Sequence, residues 1–276
     1  MKNLYIFDLD GTLYEGTDHF DYYAELLMQD VPEENREAFW NDYEKMKAGE
    51  HPVAIGKAYD VENDLAVTVD PLTLKAVEAH KWNGEKVDAP ERIYGEEQLV
   101  FDFKKLVAIG DGWWLPFAGA KHYGVKDCYP RYLQTKEYMV SEEFTLEAIS
   151  GLREFLLELR ERHDIALMTN SDREDVLRLL GELELTGVFD HVITSAQKPA
   201  RTKAFFEELQ SIYKIPFGQM VSVGDNFINE IAPALLLGMK AVYISEHPHQ
   251  TEHKDLYQVN KINDWTSSLR KSWQTS

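Results

Sequence analysis

Two aspartates separated by one residue, Asp8 and Asp10, follow the apolar run Leu4-Tyr5-Ile6-Phe7 and precede Gly11-Thr12. Residues i and i+2 of a strand project to the same side, so a strand ending here aims both carboxylates into one small space. Like charges that close are costly unless a cation or a shared proton relieves them. The pair suits a nucleophile beside an acid–base group, or two ligands for a hard cation; the plain alternative is a solvated turn after a buried strand. Three further apolar runs end in residues that would complement it. Leu167-Met168 leads into Thr169-Asn170-Ser171, whose hydroxyl and amide could donate to an anion's oxygens but are also common turn chemistry. The run 188–194 leads toward Gln197-Lys198-Pro199, where an ammonium could offset crowded carboxylates or hold a phosphoryl group. Lys203 competes for that role, and either lysine could simply be solvated. Val221-Ser222-Val223-Gly224 leads into Asp225, with Glu230 at a following helix start. These are hard oxygen donors suited to Mg²⁺, or else a helix cap followed by an acid favoured by the helix dipole.

The elements that must position these groups follow from the hydrophobic pattern. Strands are predicted over 4–9, 165–169, 188–194, 220–224 and 241–245, and helices over 142–162, 173–185, 202–213 and 231–238. Strand–helix units in this succession predict an α/β fold, a doubly wound parallel sheet with helices on both faces. In such sheets ligands bind at the C-terminal strand edge, where all four polar runs fall. Between residues 14 and 138 the texture changes. Helices are predicted over 18–29 and 33–49, with a further helix over 72–81, and 110–119 reads as an aromatic, glycine-rich loop. The expected organisation is a core of 1–14 plus 142–276, with 15–141 inserted as a mainly helical cap domain.

In chain order the strand ends carry a carboxylate pair, a hydroxyl, a lysine and a second carboxylate pair. This series resembles the haloacid dehalogenase-like (HAD) hydrolase superfamily, phosphatase type, with a large cap at the first position. Its first motif matches Asp8-x-Asp10-Gly11-Thr12, its second Thr169-Asn170, its third Lys198-Pro199, and its fourth Gly224-Asp225 with Glu230. The resemblance covers the sheet part of the chain and implies a HAD-like Rossmannoid core. It implies that Asp8 is the nucleophile toward phosphorus, and that Asp10 is the general acid and then the base that activates water. Mg²⁺ would be held by Asp8, the Asp10 backbone carbonyl, Asp225 and Glu230, and phosphoryl oxygens by Thr169, Asn170 and Lys198. The implied activity is Mg²⁺-dependent hydrolysis of a small phosphorylated metabolite through an aspartyl-phosphate. Within the superfamily, dehalogenases lack an acid at the position of Asp10 and need no metal, whereas phosphatases and phosphomutases keep it. A phosphomutase, or a catalytically silent module that retains the fold for binding, are the alternatives. Glu230 departs from the family's usual Asp, the spacing after Lys198-Pro199 is uncommon, and the insert is longer than usual.

Of 276 residues, 44% are hydrophobic and 28% charged, a soluble globular composition. With 48 acidic against 29 basic residues the net charge is −19, which repels phosphate backbones and argues against nucleic-acid partners. No run approaches the roughly 18 apolar residues of a spanning helix, so no membrane partner is expected. The N-terminal apolar run stops at Asp8, too short for a signal peptide, so a cytoplasmic location is expected. Cys128 stands alone and reads as a structural thiol. Several look-alikes are set aside. Gly110-Asp111-Gly112 imitates the fourth motif but reads as a cap loop, in which Trp113, Trp114 or His122 could touch substrate. Asp60-x-Glu62-x-Asp64 lacks the glycine of a calcium loop, and His247, His249 and His253 read as surface histidines rather than a metal site. Tyr22, Tyr23 and Trp40 read as cap core that could also stack on a base or sugar.

Overall fold

The computed structural model describes residues 2–70, 72–102, 104–141, 143–144, 146–245 and 252–274. The chain divides into two compact units, Met1–Glu15 with Leu146–Ser276, and Gly16–Thr145.

The first unit is built on six parallel strands: β1 (Leu4–Phe7), β2 (Asp164–Met168), β3 (His191–Ile193), β4 (Met220–Gly224), β5 (Lys240–Ile244) and β6 (Leu256–Val259), in the order β6-β5-β4-β1-β2-β3. All four β1 side chains are buried, as a central strand covered on both faces requires. On one face Tyr5, Phe7, Ile165, Leu167, Val221 and Val223 form a core with the helices Leu152–Arg162, Arg173–Glu182 and Ile262–Gln274. Helix Leu152–Arg162 meets that core through Leu152, Phe155, Leu156 and Leu159, spaced i, i+3, i+4 and i+7. Each such buried side chain contributes about 1.5–3 kcal/mol. Leu4, Ile6 and Ala166, on the opposite side of the pleat, are equally buried. Strand order reverses between β1 and β4, and a doubly wound sheet opens a crevice at that point.

The helix expected over 142–162 begins only at Leu152. Before it, Glu147–Ala148 pairs antiparallel with Tyr14–Glu15, and Gly151 turns the chain at φ +75° into the helix. Glu142 lies outside the described residues.

The second unit carries the helices Asp18–Asp30, Arg36–Lys47, Trp114–His122 and Tyr129–Tyr138. It also carries an antiparallel sheet that the sequence reading did not foresee, in the order Ala76–Lys81, Leu65–Val69, Ala58–Asp60, Leu106–Ala108. The helix expected over 72–81 is therefore a strand from Ala76. Its Ala, Glu and Lys favour helix locally, but Asn83-Gly84 turns the chain at Gly84, φ +87°, and returns it against Lys81 and Ala79 as a hairpin. Among the described residues no helix is long and apolar enough to cross a membrane.

Candidate active site

Register sets the site. Phe7 lies opposite Leu167 of β2 and Val223 of β4, so the chain beyond each strand emerges at one edge of the sheet. The Asp8 N–H donates to the Val223 carbonyl at 2.9 Å, continuing the ladder one residue past β1. The chain then closes a turn, with Leu13 N–H donating to the Leu9 carbonyl at 2.9 Å. Gly11, at φ +71°, is required twice over: the conformation is left-handed, and a Cβ there would collide with the Asp225 carboxylate. The first and fourth strand ends thus close directly on each other.

The Asp10 carboxylate is held at both oxygens. The Tyr14 hydroxyl donates to Oδ1 at 2.5 Å, and the Ser171 hydroxyl donates to Oδ2 at 3.0 Å, with Thr169 Oγ1 at 3.5 Å from the same oxygen. Burial, then the negative charge of Asp10, holds the Tyr14 hydroxyl well above its ordinary pKa, so it remains a donor.

Lys198 is 2% exposed, and its Nζ lies 2.7 Å from Asp8 Oδ1 and 3.0 Å from Glu230 Oε2. The Asn170 amide brackets the lysine backbone: Lys198 N–H donates to Oδ1 at 2.6 Å, and Nδ2 donates to the Lys198 carbonyl at 3.2 Å. The Asn170 side chain thus anchors the loop that carries Lys198. Lys203 is 70% exposed on the helix Thr202–Tyr213 and faces Glu207, so Lys198 is the lysine of this cluster. Glu230 is delivered by a π-helical turn, Phe227–Ile231, whose first turn is capped by the Asn226 side chain accepting from Asn229 N–H at 3.0 Å. Its Oε1 accepts from Asn226 N–H at 2.8 Å, in space left by the missing Cβ of Gly224.

The electrostatics follow from burial. Burial works against the Lys198 ammonium, but the charges of Asp8 and Glu230 outweigh it and raise its pKa, so the lysine stays charged. Burial raises Asp8, Lys198 pulls it back and Asp10 raises it again. Burial likewise pushes Glu230 up to about 8 against the pull of Lys198. Asp8 and Glu230 share this one ammonium. Ligand oxygens of Asp8, Asp225 and Glu230 lie within 4.8 Å of one another. An all-carboxylate donor set, kept open by two glycines whose Cβ atoms would fill it, fits a hard divalent cation such as Mg²⁺.

The structure thus gathers Asp8, Asp10, Thr169, Lys198, Asp225 and Glu230, and adds two residues that the sequence reading did not place among site residues. Ser171 stands two residues after Thr169 in the polar run beyond β2, the same spacing that separates Asp8 from Asp10 beyond β1. Tyr14 gives no such signal, since its partner lies four residues back in a turn. The look-alikes are structural. Asp111 Oδ1 accepts from Trp113 N–H at 2.9 Å at the start of helix Trp114–His122, and Trp113 packs among His19, Phe20, Tyr23 and Tyr132. Asp60 accepts from the N–H groups of Glu62 and Asn63 within its own loop. His122 stacks on Trp82 at 3.9 Å and pairs with Asp64 at 2.8 Å. Tyr22 stacks on Tyr138, and Trp40 packs edge-on to Tyr43. His247 and His249 lie outside the described residues. Cys128 is buried and free, and its burial raises the thiol to about 11.

A family model described as haloacid dehalogenase-like hydrolase matches residues 2–238. Among solved structures, a haloacid dehalogenase-like family hydrolase from Xanthomonas campestris aligns with TM-score 0.50 and 15% identity, covering 98% of this chain and 95% of that one. YfnB from Bacillus subtilis, assigned as a HAD-hydrolase and bound to magnesium, aligns with TM-score 0.53 and 14% identity over 98% and 99%. The L-2-haloacid dehalogenase RSc1362 aligns with TM-score 0.50 and 14% identity over 98% and 99%. At these identities the likeness is one of fold. No curated protein matches the chain.

Proposed function

Because this chain belongs to the haloacid dehalogenase-like hydrolase family, we propose that it is a Mg²⁺-dependent phosphohydrolase working through an aspartyl-phosphate at Asp8. The observation that carries the reading is Asp10: a second carboxylate, gripped at both oxygens by Tyr14 and Ser171, set two residues after the nucleophile. Displacing a halide from carbon needs no proton donor for the leaving group, whereas expelling an alkoxide from phosphorus does. The other hydrolase chemistry among the fold's relatives, dehalogenation, leaves Asp10 without a task.

In this reaction Lys198 and Thr169 hold the phosphoryl oxygens while an Asp8 oxygen attacks phosphorus. The bond from phosphorus to the ester oxygen breaks, and Asp10 gives that oxygen its proton. Water then attacks the aspartyl-phosphate, Asp10 takes the water's proton, and inorganic phosphate leaves with Asp8 restored. Asp8, Asp225, Glu230 and the Asp10 carbonyl would hold the cation, which would supply charge neutralisation for the phosphoryl group when bound. Residues 16–145 serve as a cap that selects a small phosphorylated metabolite by shape.

Phosphate release from p-nitrophenyl phosphate and chloride release from 2-chloropropionate, each with Mg²⁺ and with EDTA, test the reading. Phosphate release that EDTA abolishes and that Asp8→Asn eliminates is expected, with no chloride released. Chloride release without phosphate release would overturn it, and so would phosphatase activity indifferent to EDTA.

A further inference from the structure

The two oxygens of the Asp10 carboxylate do not meet equivalent partners. Oδ1 faces the Tyr14 phenol, a group with one hydrogen and a rigid ring, at 2.5 Å. Oδ2 faces the aliphatic hydroxyls of Ser171 and Thr169, which turn freely about their C–O bonds and can donate or accept. The phenol cannot drift. Tyr14 is 2% exposed, and its backbone pairs with Ala148 in a ribbon that belongs to the same unit as Asp10. Its side chain belongs to the same core as Leu13, Leu152 and Phe155.

We propose that Tyr14 is a positioning residue for leaving-group protonation: it occupies Oδ1 as a fixed donor, so that Asp10 carries and delivers its proton from Oδ2, on the Ser171 side. In the forward half-reaction the proton passes from Oδ2 to the ester oxygen as that oxygen leaves phosphorus, and the Ser171 hydroxyl turns from accepting to donating. In the return half-reaction Oδ2 collects the proton of the attacking water. Without the phenol the carboxylate can turn about its Cβ–Cγ bond, and the proton is no longer aimed. The inference rests on the phosphohydrolase reading, since it requires Asp10 to act as an acid.

The consequence is read in the leaving group. Glycerol phosphate must expel an alkoxide and needs the proton, whereas p-nitrophenyl phosphate expels a stable phenolate and hardly needs it. For the Mg²⁺-loaded enzyme, kcat/KM reports transfer to Asp8. Tyr14→Phe should lower kcat/KM on glycerol phosphate by about a hundredfold while lowering that on p-nitrophenyl phosphate by less than about threefold. Ser171→Ala should shift the same ratio in the same direction, with Asp10→Asn setting the largest shift attainable. A structural defect would lower both esters alike. Equal losses on the two esters in Tyr14→Phe, or no loss on either, overturn the role of Tyr14 while leaving the phosphohydrolase reading intact. A wild-type enzyme with no Mg²⁺-dependent activity on either ester removes that reading instead, and this inference with it. Should Tyr14→Phe melt before it can be assayed, Ser171→Ala decides by the same ratio.

Discussion

Lys198 sits at the point where the site's charges meet. With its Nζ 2.7 Å from Asp8 and 3.0 Å from Glu230, it is the buried cation between two buried acids. Replacing it by Met keeps the volume and leaves both carboxylates uncompensated, which costs about 3–5 kcal/mol. The expected result is a lower melting temperature for Lys198→Met in EDTA, with the deficit narrowed by Mg²⁺; an unchanged melt would mean that the pair contributes nothing. The raised carboxyls also give a pH prediction. Glu230, pushed up to about 8, holds a proton at pH 6 that a cation must displace, and burial raises Asp8 in the same direction. A ligand whose pKa is raised binds metal only as it deprotonates, so affinity must rise with pH and stop rising once the pH passes Glu230's pKa. Calorimetric Mg²⁺ titration should give up to about tenfold tighter binding per pH unit between pH 6 and 8, with proton release; a flat profile would refute it. Gly224→Ala should expel Glu230 from its place and weaken Mg²⁺ at least about tenfold, with a stability loss of about 1–3 kcal/mol from overpacking. At this scale the sequence showed which strand ends carry carboxylates, but strand alternation does not aim Asp8 and Asp10, because β1 ends at Phe7 and Asp10 lies in the turn that follows. The sequence could not choose between Lys198 and Lys203, because that choice is made by the Asn170 amide bracketing a loop from another strand end.

Among the elements, strand ends and one irregular turn carry the chemistry. Asn170, at the end of β2, ties down the loop that presents Lys198 with two hydrogen bonds. Asn170→Ala should cost about 1–3 kcal/mol and lower kcat/KM more than it weakens Mg²⁺, because the loop loosens while the carboxylates stay. Comparison of melting, Mg²⁺ titration and phosphate release separates the two effects; equal losses in all three would mean that the whole edge, not the loop, depends on Asn170. The five sheet strands expected from apolar runs are present because burial on both faces forces such runs. The edge strand Leu256–Val259 escaped notice because its residues are only partly buried or exposed. The strand Ala76–Lys81 has weak alternation and side chains that favour helix, while the deciding information sits in the turn at Asn83-Gly84. The helix starts at Leu152 rather than at 142 because the left-handed Gly151, not the hydrophobic period, sets it.

For the molecule as a whole, the chain leaves the sheet unit after Glu15 and returns at Leu146, and Glu15 lies opposite Glu147 in the two-residue ribbon. A short turn can therefore join these ends as it joins any hairpin. Replacing residues 16–145 by a Gly-rich turn of about four residues should leave a folded unit that binds Mg²⁺ within about threefold of the full chain while losing discrimination among phosphate esters. Circular dichroism, Mg²⁺ titration and a substrate panel check this, and an unfolded product would mean that the insert stabilises the sheet. The central position of β1 has a consequence for biosynthesis. The strand that leads to Asp8 is made before residues 16–145, and both of its neighbours, β2 and β4, only after them. Until then an apolar strand with two open edges waits in solution, a state that invites intermolecular pairing. Nascent chains stalled ahead of Met220 should therefore be the ones that chaperones retain, and competence to bind metal should arrive abruptly, once β4 and Glu230 have emerged.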